Sequence, residues 1–305
     1  MKPSLTVIVV TGRRREFIGR AAASVLASEA EGFDLLVVDI APTLGLPASL
    51  GSMLDSPKLR YVRGKAKSST AAHNEAIAQL QSPYVAVTDD DCEVSKNWIE
   101  SIEAAFEVDT QIGVVFGNVH PVAPDSGTGR SPCYLRKGPF LAREVRDKSQ
   151  VEGIWASMAF RRDTWQRLGG FDDLLGAGAR FPGGADGDFA LRALARGIYV
   201  YETPAVSVVH HRLISPQQGK RLAFDYSRGS GAMMAKHLKC RTQNGHQLLA
   251  TLARRWLRGV GHTASSGGGR LYRAQRVAGF LSGFAVAAFV PVDHDTCRFR
   301  TTRST

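Results

Sequence analysis

Apolar and polar positions fall into alternating blocks along the first two thirds of the chain. Residues 5–10 form a short apolar run, and residues 33–40 (FDLLVVDI) a second one. KLRYVRG at 58–64 gives a third strand, and residues 84–88 and 112–116 give two more. Between them lie stretches with helical spacing. Residues 16–27 place Phe17, Ile18, Ala21, Val25 and Leu26 on one face. Residues 71–80 and 97–106 read the same way. Strands without polar alternation, separated by helices, predict βαβ units and a mostly parallel sheet covered on both faces. Such sheets bind ligands beyond the carboxyl ends of their strands. TGRRR at 11–15, Asp39 and the triplet Asp89, Asp90, Asp91 all follow strands directly, so three polar clusters converge on one edge.

The pattern loosens over residues 121–150, which carry Pro, Gly and mixed charge and read as an excursion over that edge. GIWASMAFRRDTWQRLGGFDD resumes strand then helix. GAGARFPGGADGD is a Gly-rich loop, and DFALRALARG a helix stopped at Gly197. IYVYETPAVSVVHHR predicts two short strands ending in His210 and His211. No internal repeat is visible. This organisation predicts a catalytic unit over 1–215 and a basic helical extension over 216–305.

Composition changes the picture mainly through charge. The formal net charge is +11. Residues 205–305 hold 16 Lys and Arg against Asp225, Asp293 and Asp295, or +13, while residues 1–204 carry 23 basic and 25 acidic residues, or −2. An anionic partner for the C-terminal third follows. Within it, HQLLATLARRWLRGVG (246–261) is a basic amphipathic helix by pattern, with Leu248, Leu249, Leu252, Trp256 and Val260 near one face. Residues 276–290 are mostly apolar yet too short to span a bilayer. Together they predict attachment to an anionic membrane surface; the alternative is a helix packed on the catalytic unit. ASSGGGR reads as a flexible joint and CRFRTTRST as a disordered tail. The four cysteines, Cys92, Cys133, Cys240 and Cys297, show no metal or disulfide spacing, which predicts reduced thiols. The N-terminus carries no signal-peptide core. The expectation is a cytoplasmic protein, held peripherally at the inner face of the cell membrane.

The sharpest chemistry lies in the acidic triplet. On an extended segment Asp89 and Asp91 point one way and Asp90 the other. Two carboxylates aimed together call for a cation. Mg²⁺ or Mn²⁺, with a diphosphate completing its shell, is the natural occupant. The plainer reading is an acidic turn before a helix capped by Ser95.

The surroundings decide between these. VTDDDCEVSKNWIE, with its apolar lead-in and a Trp seven residues after the last Asp, resembles the family-2 glycosyltransferases of the GT-A fold. LTVIVVTGRRREFIGRAAASVL resembles that family's first strand, nucleotide loop and helix. LLVVDIAP, AAHNEAI, SMAFRRDTWQRLGGFDD, GGADGDFALRALARG and TPAVSVVHH resemble its later segments, in order. The resemblance spans roughly residues 4–212. It implies a Rossmann-like, mostly parallel sheet flanked by helices, and transfer of a sugar from a nucleotide-sugar donor to a hydroxyl with inversion. Asp89, Asp91 and His210 would hold the metal. Thr11, Arg13, Asp39, Asn74, Asp89 and Asp90 would contact the donor, and a UDP-sugar is the family's commonest one. Asp186 would be the general base, with Asp188 able to share the work. Trp155 and Gly184 would line the acceptor site, to which Trp165 and Phe171 could add aromatic faces. A glycan or lipid-linked acceptor in envelope polysaccharide synthesis is the implied setting.

Two positions depart from the family pattern. Ala185 stands where a Glu precedes the catalytic Asp, and His73 where an Arg often precedes the Asn, a charge that Lys65, Lys67 or Arg13, Arg14 and Arg15 would have to replace. Two other classes fit the sequence less well. A nucleotidyltransferase on a similar fold would want more glycines than TGRRR offers. A binding protein without catalysis would exploit Ala185. GRRR is not a phosphate-cradling loop, and no GxGxxG follows a strand. No aromatic-interleaved basic motif suggests nucleic acid.

Overall fold

The computed structural model describes residues 3–12, 15–41, 45–122, 129, 131–242 and 270–300. The expected alternation is present. Strand β1 (Leu5–Thr11) leads to helix α1 (Ile18–Leu26), then to β2 (Phe33–Asp39) and β3 (Leu59–Arg63). Helix α2 (Ser69–Ile77) begins at Ser68, whose side chain accepts the Ala71 N–H, satisfying one of the first turn's orphan donors. Next come β4 (Tyr84–Asp89), β5 (Cys92–Val94), α3 (Trp98–Glu107) and β6 (Ile112–Pro121). The second half holds β7 (Phe140–Ala142), β8 (Met158–Arg161), α4 (Arg162–Arg167), α5 (Ala185–Leu194) and β9 (Tyr199–His210). The chain continues in α6 (Pro216–Lys239), α7 (Arg270–Ala288) and the short strands β10 (Val292–Asp293) and β11 (Arg298–Phe299).

The central sheet runs β3-β2-β1-β4-β8-β6-β9-β5, with β7 on β9. The first four strands are parallel, as is β6 with β9. Strand β8 runs antiparallel between β4 and β6, so the sheet is mixed in its second half. Strands β1, β2 and β4 are buried on both faces, β2 exposing only Asp34 in part, while the edge strand β3 is open at Arg60, Val62 and Arg63. One apolar layer holds Val7, Leu35, Trp98 and Ile102, the other Ile8, Val87, Phe160 and Phe189. The two short strands expected over 198–212 are one strand of 12 residues, β9, whose register against β6 shifts between Gly117 and Asn118.

The C-terminal elements differ most from expectation. Residues 276–290 lie largely in α7, which packs along α6 in the same direction, a packed helix being one of the two arrangements expected of them. A Cβ on Gly279, Gly283 or Gly231 would collide with the backbone carbonyls of Phe224, Arg228 or Phe280. Glycine is what lets these helices approach backbone to backbone. The tail is not disordered as far as Arg300: Arg298–Phe299 pairs with Val292–Asp293, and Phe299 is buried. Cys240 and Cys297 form a disulfide across a sequence separation of 57, correcting the expectation of four reduced thiols. Both ends of that loop are held by tertiary packing, which sequence spacing does not reveal. The amphipathic stretch at 246–261 lies outside the described residues. Among the described residues no helix is long and apolar enough to cross a membrane.

Candidate active site

The carboxyl edge of the parallel strands gathers the predicted polar residues. Thr11 lies beside Asp39 across β1 and β2, and Val10 beside Asp89 across β1 and β4. After β4 the chain turns at Asp90 and Asp91, then enters β5, whose Cys92 faces His210 of β9. One ligand atom each from Asp89, Asp91, Cys92 and His210 lies within 4.8 Å of all the others. Octahedral ligands at about 2.1 Å from a small divalent ion stand about 3–4 Å apart, so modest closure would bring this set around one ion. Two hard carboxylate oxygens and an imidazole suit Mg²⁺ or Mn²⁺. His210 Nε2 stands 3.4 Å from Asp91 Oδ1. The neighbouring His211 is committed elsewhere, to Glu93 and Arg20.

Cys92 was not anticipated as a member. Burial, reinforced by the charges of Asp89 and Asp91, pushes its thiol well above the usual range. The Ser95 alternative fails: Asn97 caps α3 without a side-chain bond, and Ser95 offers only its carbonyl, to Trp98 N.

Asp90 turns away from the cluster, as the alternation predicted, and accepts the Thr11 hydroxyl at 2.9 Å. Both are buried. Thr11 therefore positions the turn and presents no hydroxyl to a donor. Asp39 is fully buried and holds Arg15, Tyr61 and the Ala41 N–H. Arg15, read only as part of a basic loop, is thus the Asp39 partner. Arg13 and Arg14 lie outside the described residues.

Asn74 departs from the expected donor contact. Its amide donates to Phe171 O and Asp173, while its carbonyl accepts the Trp165 indole and the Phe171 N–H. Two donors and two acceptor sites are thus all used, and Asn74 fixes the turn after α4. His73 is buried, its Nδ1 donating to Ser69 O; burial lowers its pKa to about 4. It is neutral and cannot replace the arginine of the family pattern. Lys65 and Lys67 are exposed.

Gly184, in the left-handed region at φ +76°, starts α5. It leaves Asp186 in the first turn. The Asp186 carboxylate accepts the Trp155 N–H at 3.1 Å and the Gly187 N–H at 2.7 Å. Burial pushes its pKa up, against the opposing pull of the Gly187 N–H, Lys148 and the Trp155 N–H. Trp155 is half-buried between His73, edge-on at 4.9 Å, and Phe171 at 4.7 Å. Phe171 itself is core.

Asp188 does not share the base role. It has no exposed surface and is ion-paired with Arg192 and Lys236 and hydrogen-bonded to His237. Burial alone would raise its pKa; Lys236, Arg192 and His237 together hold it far below the usual carboxylate range. Lys236 also reaches Asp172 at 2.6 Å. This buried cluster ties α5 to α6, and no sequence motif announced it. Glu202 was missed too. It is fully buried on β9 and accepts the N–H groups of Glu152 and Gly153 at 2.8 and 2.6 Å. It also holds Tyr134 and Arg136 from the excursion.

One short segment joins the two halves of the site. Thr88, next to Asp89, donates to Ala156 O at 2.7 Å, and Trp155 donates to Asp186. The metal-ligand type cluster and the carboxylate of raised pKa are thus linked through residues 155–156.

The profile of the family described as Glycosyl transferase family 2 matches residues 6–168. The chain belongs to glycosyl transferase family 2. Two solved structures share its fold. The mannosyltransferase PcManGT from Pyrobaculum calidifontis, in complex with GDP-Man and Mn²⁺, is 17% identical at a TM-score of 0.61, over 94% of this chain and 87% of its own. Residues 1–349 of S. aureus TarS are 14% identical at a TM-score of 0.63, over 95% of this chain and 81% of its own. No curated protein matches the sequence. The protein is a glycosyltransferase of the GT-A fold, with a mostly parallel sheet flanked by helices.

Proposed function

We propose that this glycosyltransferase inverts the anomeric centre of a nucleoside diphosphate sugar, with Asp186 as general base. The acceptor hydroxyl oxygen attacks the anomeric carbon from the face opposite the diphosphate. The carbon–oxygen bond to the phosphate breaks, and the diphosphate leaves with the electron pair. The hydroxyl proton passes to the Asp186 carboxylate. The observation that carries this reading is the connection of Asp186 to the Asp89–Asp91–His210 cluster through residues 155–156. A base and a diphosphate anchor have to share one cleft.

The Trp155 and Gly187 N–H groups orient the base, and the raised pKa suits a group that must accept a proton. Asp89, Asp91 and His210 would hold Mg²⁺ or Mn²⁺; when bound, such an ion neutralises charge on the leaving diphosphate. Asp188, Asn74 and Thr11 act on the site by positioning. The half-buried Trp155 face supplies a stacking surface for an acceptor sugar. A glycan or lipid-linked acceptor in envelope polysaccharide synthesis fits the family's usual work. A uridine donor is the family's commonest; PcManGT was solved with GDP-Man.

The test is release of nucleoside diphosphate from a panel of UDP-, GDP- and dTDP-sugars with Mn²⁺, Mg²⁺ or EDTA. It compares the wild type with Asp186→Asn, and NMR reads the anomeric configuration of any product. Release from one donor, lost with EDTA and with the substitution and giving the opposite anomer, supports every part. Undiminished release from Asp186→Asn refutes the base. Retention of configuration refutes the single displacement.

A further inference from the structure

The second face of α7 has no partner among the described residues. One face packs on α6 through Gly279 and Gly283. The other exposes Ala274, Ala278, Leu281, Ala285, Ala288 and, just past the helix end, Phe289. These positions follow the helical spacing of three and four residues, so they form one stripe. Every member is apolar. Leu281 is 60% exposed and Phe289 89% exposed. A helix surface of a water-facing protein carries charges there; a continuous apolar stripe marks an interaction surface.

The rim of that stripe identifies its partner. Exposed Arg180 and Arg300 share a recess with Phe289. Lys239 caps the same end of α7, donating to Ala288 O and Val290 O. The acidic residues of this third are three, and Asp293 spends its carboxylate on Thr296. An apolar stripe ending in an exposed Phe ringed by cations is what a helix lying in an anionic lipid interface requires. A partner protein face would have to match both an apolar strip and a cationic ring; an anionic bilayer supplies both everywhere.

We propose that α7 is the docking face by which this protein sits on anionic membrane, with Leu281 and Phe289 entering the headgroup–acyl boundary and Arg180 and Arg300 on lipid phosphates. The placement also bears on the reaction. Helix α6 connects α7 to the start of α5: its Gly229 lies against Gly183 and Gly184, immediately before α5. The proposed docking helix thus packs on a helix that itself touches the residues leading into Asp186. An amphiphilic acceptor, its sugar or hydroxyl held above its lipid anchor, would present the reacting group at that height.

The experiment is vesicle co-sedimentation of the full chain, a readout independent of transferase activity. Phosphatidylcholine vesicles are compared with vesicles containing about one third phosphatidylglycerol. The wild type is expected to bind the anionic vesicles and not the neutral ones. Leu281→Asp with Phe289→Asp should weaken that binding by about tenfold or more. Arg180→Glu with Arg300→Glu should weaken it comparably and flatten its salt dependence. All four positions are exposed, and far-ultraviolet circular dichroism and donor turnover on a soluble acceptor should match the wild type. Absence of binding to anionic vesicles overturns the proposal. So does binding that survives the double Asp variant. A dimer in light scattering that this variant dissolves, without vesicle binding, would assign the face to a second copy instead.

Discussion

Lys236 is the residue on which the joint between α5 and the C-terminal helices depends most directly. It has no exposed surface and stands 2.6 Å from Asp172 and 2.7 Å from Asp188. Burial keeps His237 neutral, lowering its pKa despite the pull of Asp188. The buried group then balances: Asp172 and Asp188 against Arg192 and Lys236. Replacing Lys236 with Met conserves most of the volume but leaves one uncompensated negative charge. Removing one partner of a buried pair costs about 3–5 kcal/mol. Asp172→Asn in the same chain restores neutrality, and Asn can still accept the Phe299 N–H that Asp172 holds. The double variant should recover more than half of the loss, a coupling that a cycle of single and double variants measures. Urea unfolding at neutral pH is the assay. Acid adds a signature. Asp188 has a depressed folded-state pKa, so its contribution is full above the unfolded carboxylate value of about 4 and is lost as pH falls through the lower folded value. The gap between wild type and Lys236→Met should therefore narrow in acid, as the stranded carboxyl takes up a proton in the variant. A loss under about 1 kcal/mol, or no recovery with Asp172→Asn, would refute the charge-balance argument.

Burial raises the Asp186 pKa and Lys148 opposes the rise, so the acid limb of kcat/KM should lie above the usual carboxylate value, and Lys148→Met should move it further up. A limb that stays in place in Lys148→Met would remove Lys148 from the site's electrostatics. Since burial disfavours its charged form, Asp186→Asn should lose no stability at neutral pH, read by thermal melting, while turnover collapses. The disulfide closes a loop of 57 residues, worth about 4 kcal/mol in the chain-entropy account. Cys297→Ser should lose a large part of that in urea, and the unfolded, unreduced wild type should titrate two thiols. Glu202→Gln should lower kcat while leaving Mn²⁺ affinity unchanged, because Glu202 holds the segment leading to Trp155 and makes no contact with the metal-ligand cluster.

What the sequence made legible and what it hid divide along a physical line. Apolar runs and helical spacing report which face of an element is buried, and they placed the parallel strands and their carboxyl edge correctly. The gathering of Asp89, Asp91 and His210 at one place was legible for a related reason: close carboxylates and a strand-end imidazole stand out from the packing pattern. Side chains whose work is tertiary left no such trace. Asn74 looks like a ligand contact in one dimension, yet its four hydrogen bonds go to α4 and the turn after it, 91 to 99 residues away in sequence. Asp186 and Asp188 are two positions apart on one helix turn, and the sequence allows Asp188 to share the work of Asp186. Their difference comes from α6, whose Lys236 and His237 claim Asp188, while Asp186 is held by the Trp155 and Gly187 N–H groups. Periodicity along α5 cannot contain that information, because it resides in which helix packs against it. The same holds for the basic C-terminal third. Its net charge predicted an anionic partner but could not say which surface meets it. Only the packing of α7 on α6 through glycines, which buries one face and strands the other, turns a compositional excess into a surface with named residues and a direction.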